Sequence, residues 1–199
     1  MLTGKDLLLL LLYAPSDETA DVAAPIAGRT RLAKLMFLFK REVWQKAGFD
    51  SIVPREKLPR FFPWRFGPFS KDVFNDVDFF RTIGFLEATS AGSDANATAP
   101  AEAFERAYWA DADPDSASTS SSEPGLDEYE EETFALTSEG IQYIEDKHLW
   151  ATLSGNQQSA LIQFKRRLAN APLYAILKYV YSAYPNTISK SEIVWSVLR

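Results

Sequence analysis

The stretch from residue 91 to residue 133 constrains the fold of this chain more than any other feature. It holds twelve acidic residues and one basic residue, a local charge of −11, and is rich in Ala, Ser, Asp, Thr and Pro, with the run SASTSSS. The remaining sequence holds 20 basic and 15 acidic residues, a charge of +5. A segment of such composition buries too little apolar surface to fold by itself. The core must therefore be built from the flanking parts of the chain, with residues 91–128 as a flexible insertion.

Three segments before the insertion predict helices. The first begins after Thr3, a suitable N-cap, and ends near residue 13. The second covers about residues 30–48, where apolar residues recur at helical spacing and the basic residues between them are expected to face outward. The third begins after the N-cap Ser70, has Ile83 on its apolar face and ends at Gly84.

Strands and helices are predicted on both sides of the insertion. Residues 85–88 and 131–136 are typical of two strands that pair with each other. The segment LPRFFPWRFGPFS, residues 58–70, predicts neither a regular helix nor a central strand, because its prolines disrupt both. Further helices are predicted at about 138–148, 156–170, 172–184 and 189–199.

Three helices followed by a two-stranded hairpin is the element order of a winged helix. We therefore predict a mainly α, α+β fold: a winged-helix-like three-helix core with a two-stranded wing and a C-terminal helical extension. The core would cover residues 1–150, with the insertion 91–128 in the wing, and the extension residues 151–199. A hairpin tip tolerates such an insertion because a longer loop adds little closure entropy. Its apolar residues Phe104, Tyr108 and Trp109 could order locally.

The residue types that most enzyme and metal sites require are scarce. The chain has no cysteine, which excludes disulfides, thiolate zinc sites and cysteine nucleophiles. Its single histidine, His148, excludes a multi-histidine metal site. Asp72 and Asp76 are four residues apart on the third helix, but no further carboxylate converges on them. We expect a protein that is not an enzyme and holds no metal or cofactor.

The leucine run from Leu7 to Leu12 is too short to span a bilayer. Lys5 and Asp6 directly precede it and no small-residue cleavage site follows, which is unlike a signal peptide. We therefore expect a buried first helix, a cytoplasmic protein and no membrane association.

Four segments carry a recognisable pattern: GRTRLAKLMFLF, PWRFGPFSKDVFNDVDFFRTIGFLE, FALTSEG and LYAILKYVYSAYPNTISKSEI. Together they resemble the prokaryotic YwgA-like proteins and, more loosely, the Panacea (SocA-like antitoxin) domain. In both, a basic-Leu-x-Lys-Leu helix precedes an aromatic-Gly-Pro motif. The matching positions here are Arg31, Leu32, Lys34, Leu35, Phe66, Gly67 and Pro68. The similarity covers roughly three quarters of the chain and skips the acidic insertion.

The resemblance implies a small winged-helix-like protein of bacteria or archaea, often encoded near mobile elements or defence genes. Panacea-type relatives act as antitoxins or proteolytic adaptors through protein contacts. By this resemblance, the expected partner is another protein.

Basic and aromatic residues of the second helix and the Gly-Pro segment form the candidate binding surface. Arginine and lysine beside aromatic rings can hold phosphates and stack bases, whereas exposed rings can anchor a protein partner. The third helix, which enters the major groove in many winged helices, carries more acidic than basic residues. The members of the surface are Arg29, Arg31, Lys34, Lys40, Arg41, Arg60, Trp64, Arg65, Phe66, Gly67, Pro68 and Lys71.

Two features keep alternatives open. The aromatic cluster is either core or an exposed interface patch; its members are Phe61, Phe62, Trp64, Phe66 and Phe69. The acidic insertion could mimic the charge of DNA, cover the basic body, meet a basic partner or remain a solvated loop.

We therefore predict a non-catalytic protein-binding adaptor or antitoxin-like regulator of a prokaryotic defence or mobile-element system, which could form a homodimer. The alternative is a DNA-binding winged-helix transcriptional repressor, with an enzyme as a distant third. A continuous basic strip reaching the third helix would favour DNA, and an exposed aromatic patch would favour protein.

Overall fold

A computed structural model describes residues 1–15, 23–64, 67–90 and 132–187. Several predictions fall outside these residues: the insertion with Phe104, Tyr108 and Trp109, the final helix at 189–199, and the candidate residues Arg65 and Phe66. The side chain of Trp64 likewise lies outside the described part of the chain.

Six helices dominate the described residues: α1 (Gly4–Tyr13), α2 (Arg29–Leu38), α3 (Lys71–Thr82), α4 (Ser138–Asp146), α5 (Gly155–Leu168) and α6 (Leu173–Ala183). Four of them begin at a hydroxyl N-cap, because a Ser or Thr oxygen accepts an otherwise unpaired amide hydrogen of the first turn. The caps are Thr3, Ser70, Thr137 and Ser154. The predicted starts of the first and third helices are confirmed.

The second predicted helix is correct in place but not regular throughout. Its α-helical part ends at Leu38, and a π-helical turn, Phe39–Val43, continues it. The chain then turns to Gly48, whose φ of 75° lies in the left-handed region. Glycine adopts that region at little cost, so the helical segment stops there as expected.

The strands form two small antiparallel sheets. Their bounds are β1 (Ile26–Ala27), β2 (Phe62–Trp64), β3 (Gly67–Phe69), β4 (Leu86–Ser90) and β5 (Glu132–Leu136). One sheet has the order β1–β5–β4, and the other pairs β2 with β3. The predicted pairing across the insertion is confirmed: Leu86 lies opposite Leu136 and Ala88 opposite Phe134. The architecture is α+β.

Two strand pairings were not predicted. β1 lies between the first two predicted helices, where no strand was predicted, and its two residues pair with β5. The proline-rich segment forms the β2–β3 hairpin, in which Pro63 lies opposite Pro68. Neither proline can donate a ladder hydrogen bond, but in a two-stranded sheet both strands are edges, so the prolines are tolerated there.

The core is continuous from the first helix to the last described one. Leu7 to Leu12 are all almost completely buried, which confirms the prediction for the first helix. Phe39 of the π-helical turn packs edge-on against Phe49 and against Phe164 of α5. The residues 151–187 that we assigned to an extension therefore share the same hydrophobic core as α1 and α2. None of the helices in the described ranges is both long and apolar enough to cross a membrane.

Candidate functional site

The lysine in the middle of α2 lies inside the protein. Lys34 has no exposed surface, and its Nζ donates a hydrogen bond to the carbonyl oxygen of Pro68 at 2.9 Å. The expectation that Lys34 faces outward is therefore wrong. The physical reason is that α2 is covered by α3, β3 and α6, so that every residue from 32 to 39 is buried. Helical spacing predicts one covered face, whereas this helix is covered on several.

Two structural features require glycine at position 67. Its φ of 89° is in the left-handed region, and a Cβ atom there would lie 2.8 Å from Cε1 of Tyr181. Tyr181 belongs to α6 and is 1% exposed. Lys34, Gly67, Pro68 and Tyr181 form what we call the lysine–hairpin junction. It joins three of the segments on which the family resemblance depends.

The lysine–hairpin junction is a buried contact between elements of the fold, and it is not accessible to a ligand. Burial lowers the pKa of Lys34 to about 7. Its amine can still donate to a carbonyl when uncharged. Because Lys34, Gly67 and Pro68 are all buried, a partner in solution cannot reach them.

Substitution of Gly67 tests this interpretation. We expect Gly67→Ala to lower the free energy of unfolding by about 2 kcal/mol, because the new methyl group both strains the left-handed backbone and overlaps the Tyr181 ring. Gly48→Ala is the matched control, since Gly48 has a φ of 75° and a Cβ atom there would meet nothing within 4 Å. Gly48→Ala should lower the free energy of unfolding by about 1 kcal/mol, because it strains only the left-handed backbone. If urea denaturation showed the same decrease in the free energy of unfolding for both variants, the contact with Tyr181 would have no role.

Arg29 joins three elements through ion pairs. Its Nε lies 2.8 Å from Glu132 Oε2 and its Nη1 2.8 Å from Asp78 Oδ1. Arg81 adds a third pair, 3.1 Å from Glu132 Oε1. These contacts link α2, α3 and β5. The charge of Arg29 is thus balanced within the protein.

Most other predicted basic residues also bind atoms of the chain itself. Arg31 donates to the carbonyls of Ala27, at 2.9 Å, and Ala171. Lys40 donates to the carbonyl of Pro59 at 2.7 Å. The more exposed members are Arg41, Arg60 and Lys71, of which Arg60 lies 3.5 Å from Asp72. Among the described members of the candidate surface, Arg29, Arg31, Lys34 and Lys40 are thus held by carboxylates or carbonyls of the chain itself.

A second buried lysine, Lys165, was missed by sequence reasoning. Its Nζ donates to the carbonyls of Leu12, at 2.7 Å, Ala14, at 2.6 Å, and Ala24, at 2.8 Å. Burial lowers its pKa to about 7, whereas the carbonyls at the negative end of α1 favour its ammonium form. Lys165 thus caps the C-terminal end of α1 from α5.

The outer face of α3 carries exposed apolar side chains. Phe79 is 44% exposed and Ile83 43% exposed. We expected Ile83 on the buried face, which is wrong, because it follows the last residue of α3 and precedes the turn at Gly84. Three side chains of the predicted aromatic cluster are described, and they differ in exposure: Phe69 is buried, Phe61 is half-buried and Phe62 is 42% exposed.

The chain matches no protein-family model and no curated protein.

Carboxylates and a cation lie beside Phe79. The Nζ atom of Lys5 is 4.0 Å from the centre of the Phe79 ring and 3.5 Å from Asp76 Oδ1. Burial and the neighbouring Asp72 raise the pKa of Asp76, while Lys5 lowers it. An open cavity of about 440 Å³ adjoins these groups and is lined in part by Lys5, Arg60, Asp72 and Asp76.

A second cavity, of about 430 Å³, lies beside Glu42 in the π-helical turn. Glu42 Oε1 accepts hydrogen bonds from the hydroxyls of Tyr179, at 2.7 Å, and Tyr184, at 2.9 Å. Burial and the bond to Glu42 raise the pKa of Tyr184. In the described part of the chain, no three His, Cys, Asp or Glu side chains converge as metal ligands would.

Proposed function

We propose that this chain is a non-catalytic protein-binding module, an adaptor or antitoxin-like regulator, whose contact surface is the outer face of α3. The exposure of Phe79 and Ile83 carries the proposal. Ile83 directly follows the last residue of α3, and its backbone N–H still bonds to the Phe79 carbonyl at 3.1 Å, so it lies one helical turn from Phe79. An exposed apolar pair of this kind is a typical anchor for a partner protein.

A winged-helix architecture is part of the proposal. The short strand β1 lies between α1 and α2, and the β4–β5 hairpin follows α3. In the sheet order β1–β5–β4, β5 pairs with both other strands, and β4 contacts α3. This order of elements supports a winged helix in which β4 and β5 form the wing.

DNA recognition by α3, the alternative, has less support. The segment from Ser70 to Gly84 has three aspartates against one lysine and one arginine, and DNA phosphates repel negative charge. Arg29, Arg31 and Lys34, which would extend a basic strip from α2, are engaged by carboxylates or carbonyls.

Co-purification tests the proposal. The tagged chain is expressed in its source cells beside a Phe79→Ser, Ile83→Ser double variant and a Tyr174→Ser control, since Tyr174 is a 54% exposed aromatic residue of α6. We expect a protein partner that is retained by the control and reduced about tenfold or more by the double variant, because two anchors are lost. Recovered proteins are quantified by mass spectrometry.

Two outcomes would contradict the proposal. One is equal recovery of every protein by the wild type and the double variant. The other is tight binding of labelled duplex DNA that weakens steeply as salt rises, which would favour the repressor alternative.

A further inference from the structure

We infer that the outer face of α3 binds a basic amphipathic helical segment of a partner protein, with Phe79 and Ile83 as apolar anchors and Asp72 and Asp76 as the groups that select for positive charge. This inference rests on the proposed function and names the chemical class of the partner. We call these four residues the α3 face.

The two carboxylates lie on the helix toward the start of α3 from the apolar pair. At 100° per residue, Asp72 falls in line with Phe79 and Ile83, and Asp76 falls close to that line. The Asp72 side chain is 37% exposed and that of Asp76 13% exposed. A helix that lies across the apolar pair and carries lysines or arginines where it passes the two carboxylates would match this pattern.

The cations that now neighbour the two carboxylates have exposed side chains. Lys5 lies 3.5 Å from Asp76 with a side chain 46% exposed, and Arg60 lies 3.5 Å from Asp72 with a side chain 88% exposed. The pair of Arg60 with Asp72 is exposed on both sides and contributes little to stability, so a partner can replace it at little cost. The open cavity beside Asp72 and Asp76 gives an incoming side chain room to reach them.

The position of Lys5 shows that the α3 face accommodates a cation. Its ammonium lies over the Phe79 ring and beside the Asp76 carboxylate. A cation over an aromatic ring is attracted by the negative face of the ring. Burial and Asp72 raise the pKa of Asp76, so a second cation at this point would offset an unfavourable negative charge.

The charge of the adjoining sequence favours the same partner. The 41 residues between Ser90 and Glu132 contain eleven acidic residues and one basic residue, a charge of −10. They leave and re-enter the described structure at the ends of β4 and β5, and Glu132 is ion-paired with Arg81 of α3. A net negative charge at this location speeds the encounter with a basic partner and slows that with an acidic one.

Three synthetic peptides of about 18 residues test the inference, a length that as a helix exceeds the exposed part of α3. The first has leucines on one helical face and lysines and arginines on the other. The second has the same composition in an order that gives no apolar face. The third keeps the leucine face and replaces each basic residue with glutamate. Binding of the full chain is measured by fluorescence anisotropy at two salt concentrations.

We expect the first peptide to bind about tenfold more tightly than either of the others, and more weakly as salt rises. Phe79→Ser with Ile83→Ser should remove about tenfold of that affinity, whereas Tyr174→Ser should leave it unchanged. Asp76→Asn should reduce the ratio between the affinities for the basic and the glutamate peptide, but the basic peptide should still bind. Circular dichroism melting curves confirm that each variant is folded.

Each contrary result has a distinct meaning. Equal affinity for the basic and glutamate peptides, still lost in the Phe79 and Ile83 variant, would overturn the charge class and leave the proposed function standing. Equal affinity for the first two peptides would overturn the α3 face as the site, because net charge alone would explain binding. A dimer that dissociates on Phe79→Ser would overturn the inference by showing that a second copy of the chain covers the face.

Discussion

Raising the pH from 7 to 9 is expected to stabilise the folded chain by about 4 kcal/mol, or about 2 kcal/mol from each of two buried lysines. The pKa of Lys34 and that of Lys165 are both about 7 in the folded protein, against an ordinary value of 10.5. Between those values the unfolded chain binds more protons than the folded chain, so that stability increases with pH. Below pH 7 both states are protonated and the full cost of burying the charge is present.

The increase in stability with pH ends where tyrosines begin to lose their protons in the unfolded chain. The pKa values of Tyr13, Tyr179 and Tyr184 are raised above 10 in the folded protein, by burial and by hydrogen bonds to glutamates. Above pH 10 the unfolded chain therefore loses protons that the folded chain keeps, and stability decreases again. The increase is thus confined to the range between pH 7 and about pH 9.5.

Urea denaturation at pH 7, 8 and 9 measures the effect. Lys34→Met and Lys165→Met should each remove about half of the increase, since methionine has similar length but no titrating group. Lys178→Met is the control, because Lys178 is exposed on α6, and it should keep the full increase. A free energy of unfolding that stays constant from pH 7 to pH 9 in the wild type would contradict the lowered pKa of both lysines.

Gly140→Ala is expected to lower the free energy of unfolding by about 3 kcal/mol. A Cβ atom at Gly140 would overlap the carbonyl oxygen of Phe85 and lie 3.1 Å from its carbonyl carbon. That oxygen also accepts the backbone N–H of Thr137, while the Thr137 hydroxyl caps α4 and donates to Gly84 at 2.6 Å. Because the obstructing atoms are backbone, neither side can move without breaking these bonds. These contacts account for threonine at position 137 and glycine at position 140.

Gly155→Ala provides the matched comparison. Gly155 also lies in the first turn of a helix, but a Cβ atom there would meet nothing within 4 Å. Alanine should therefore leave stability unchanged or raise it by up to about 1 kcal/mol, since it restricts the unfolded chain. If Gly140→Ala and Gly155→Ala had the same melting temperature, the close contact with Phe85 would not exist in solution.

The elements that sequence reasoning located were those specified by local signals. Ser70 is an N-cap followed by apolar residues at helical spacing, and α3 begins as expected. Strands β4 and β5 were located although residues 91–131 separate them, because each has its own strand-like composition. β1 has only two residues and is defined by its pairing with β5, which no local pattern reveals.

The buried lysines show why much of the site could not be predicted. Lys34 alternates with apolar residues and reads as an outward-facing charge, yet α3, β3 and α6 cover it. Lys165 begins the run Lys-Arg-Arg, which is typical of a solvated helix end. Its three carbonyl partners are 141 to 153 positions away in the chain. The one available signal was the Gly-Pro motif that follows the helix of Lys34, and from it we predicted a binding surface.

The two enclosed amines also have a chemical consequence. An amine with a pKa near 7 is largely uncharged, and thus nucleophilic, at pH 8. Lys34 and Lys165 combine this reactivity with complete enclosure, so an acylating reagent reaches them only through molecules that have opened. Exposed amines such as that of Lys178 react from the closed state. The ratio of acylation at Lys165 to acylation at Lys178 therefore measures how often the end of α1 separates from α5.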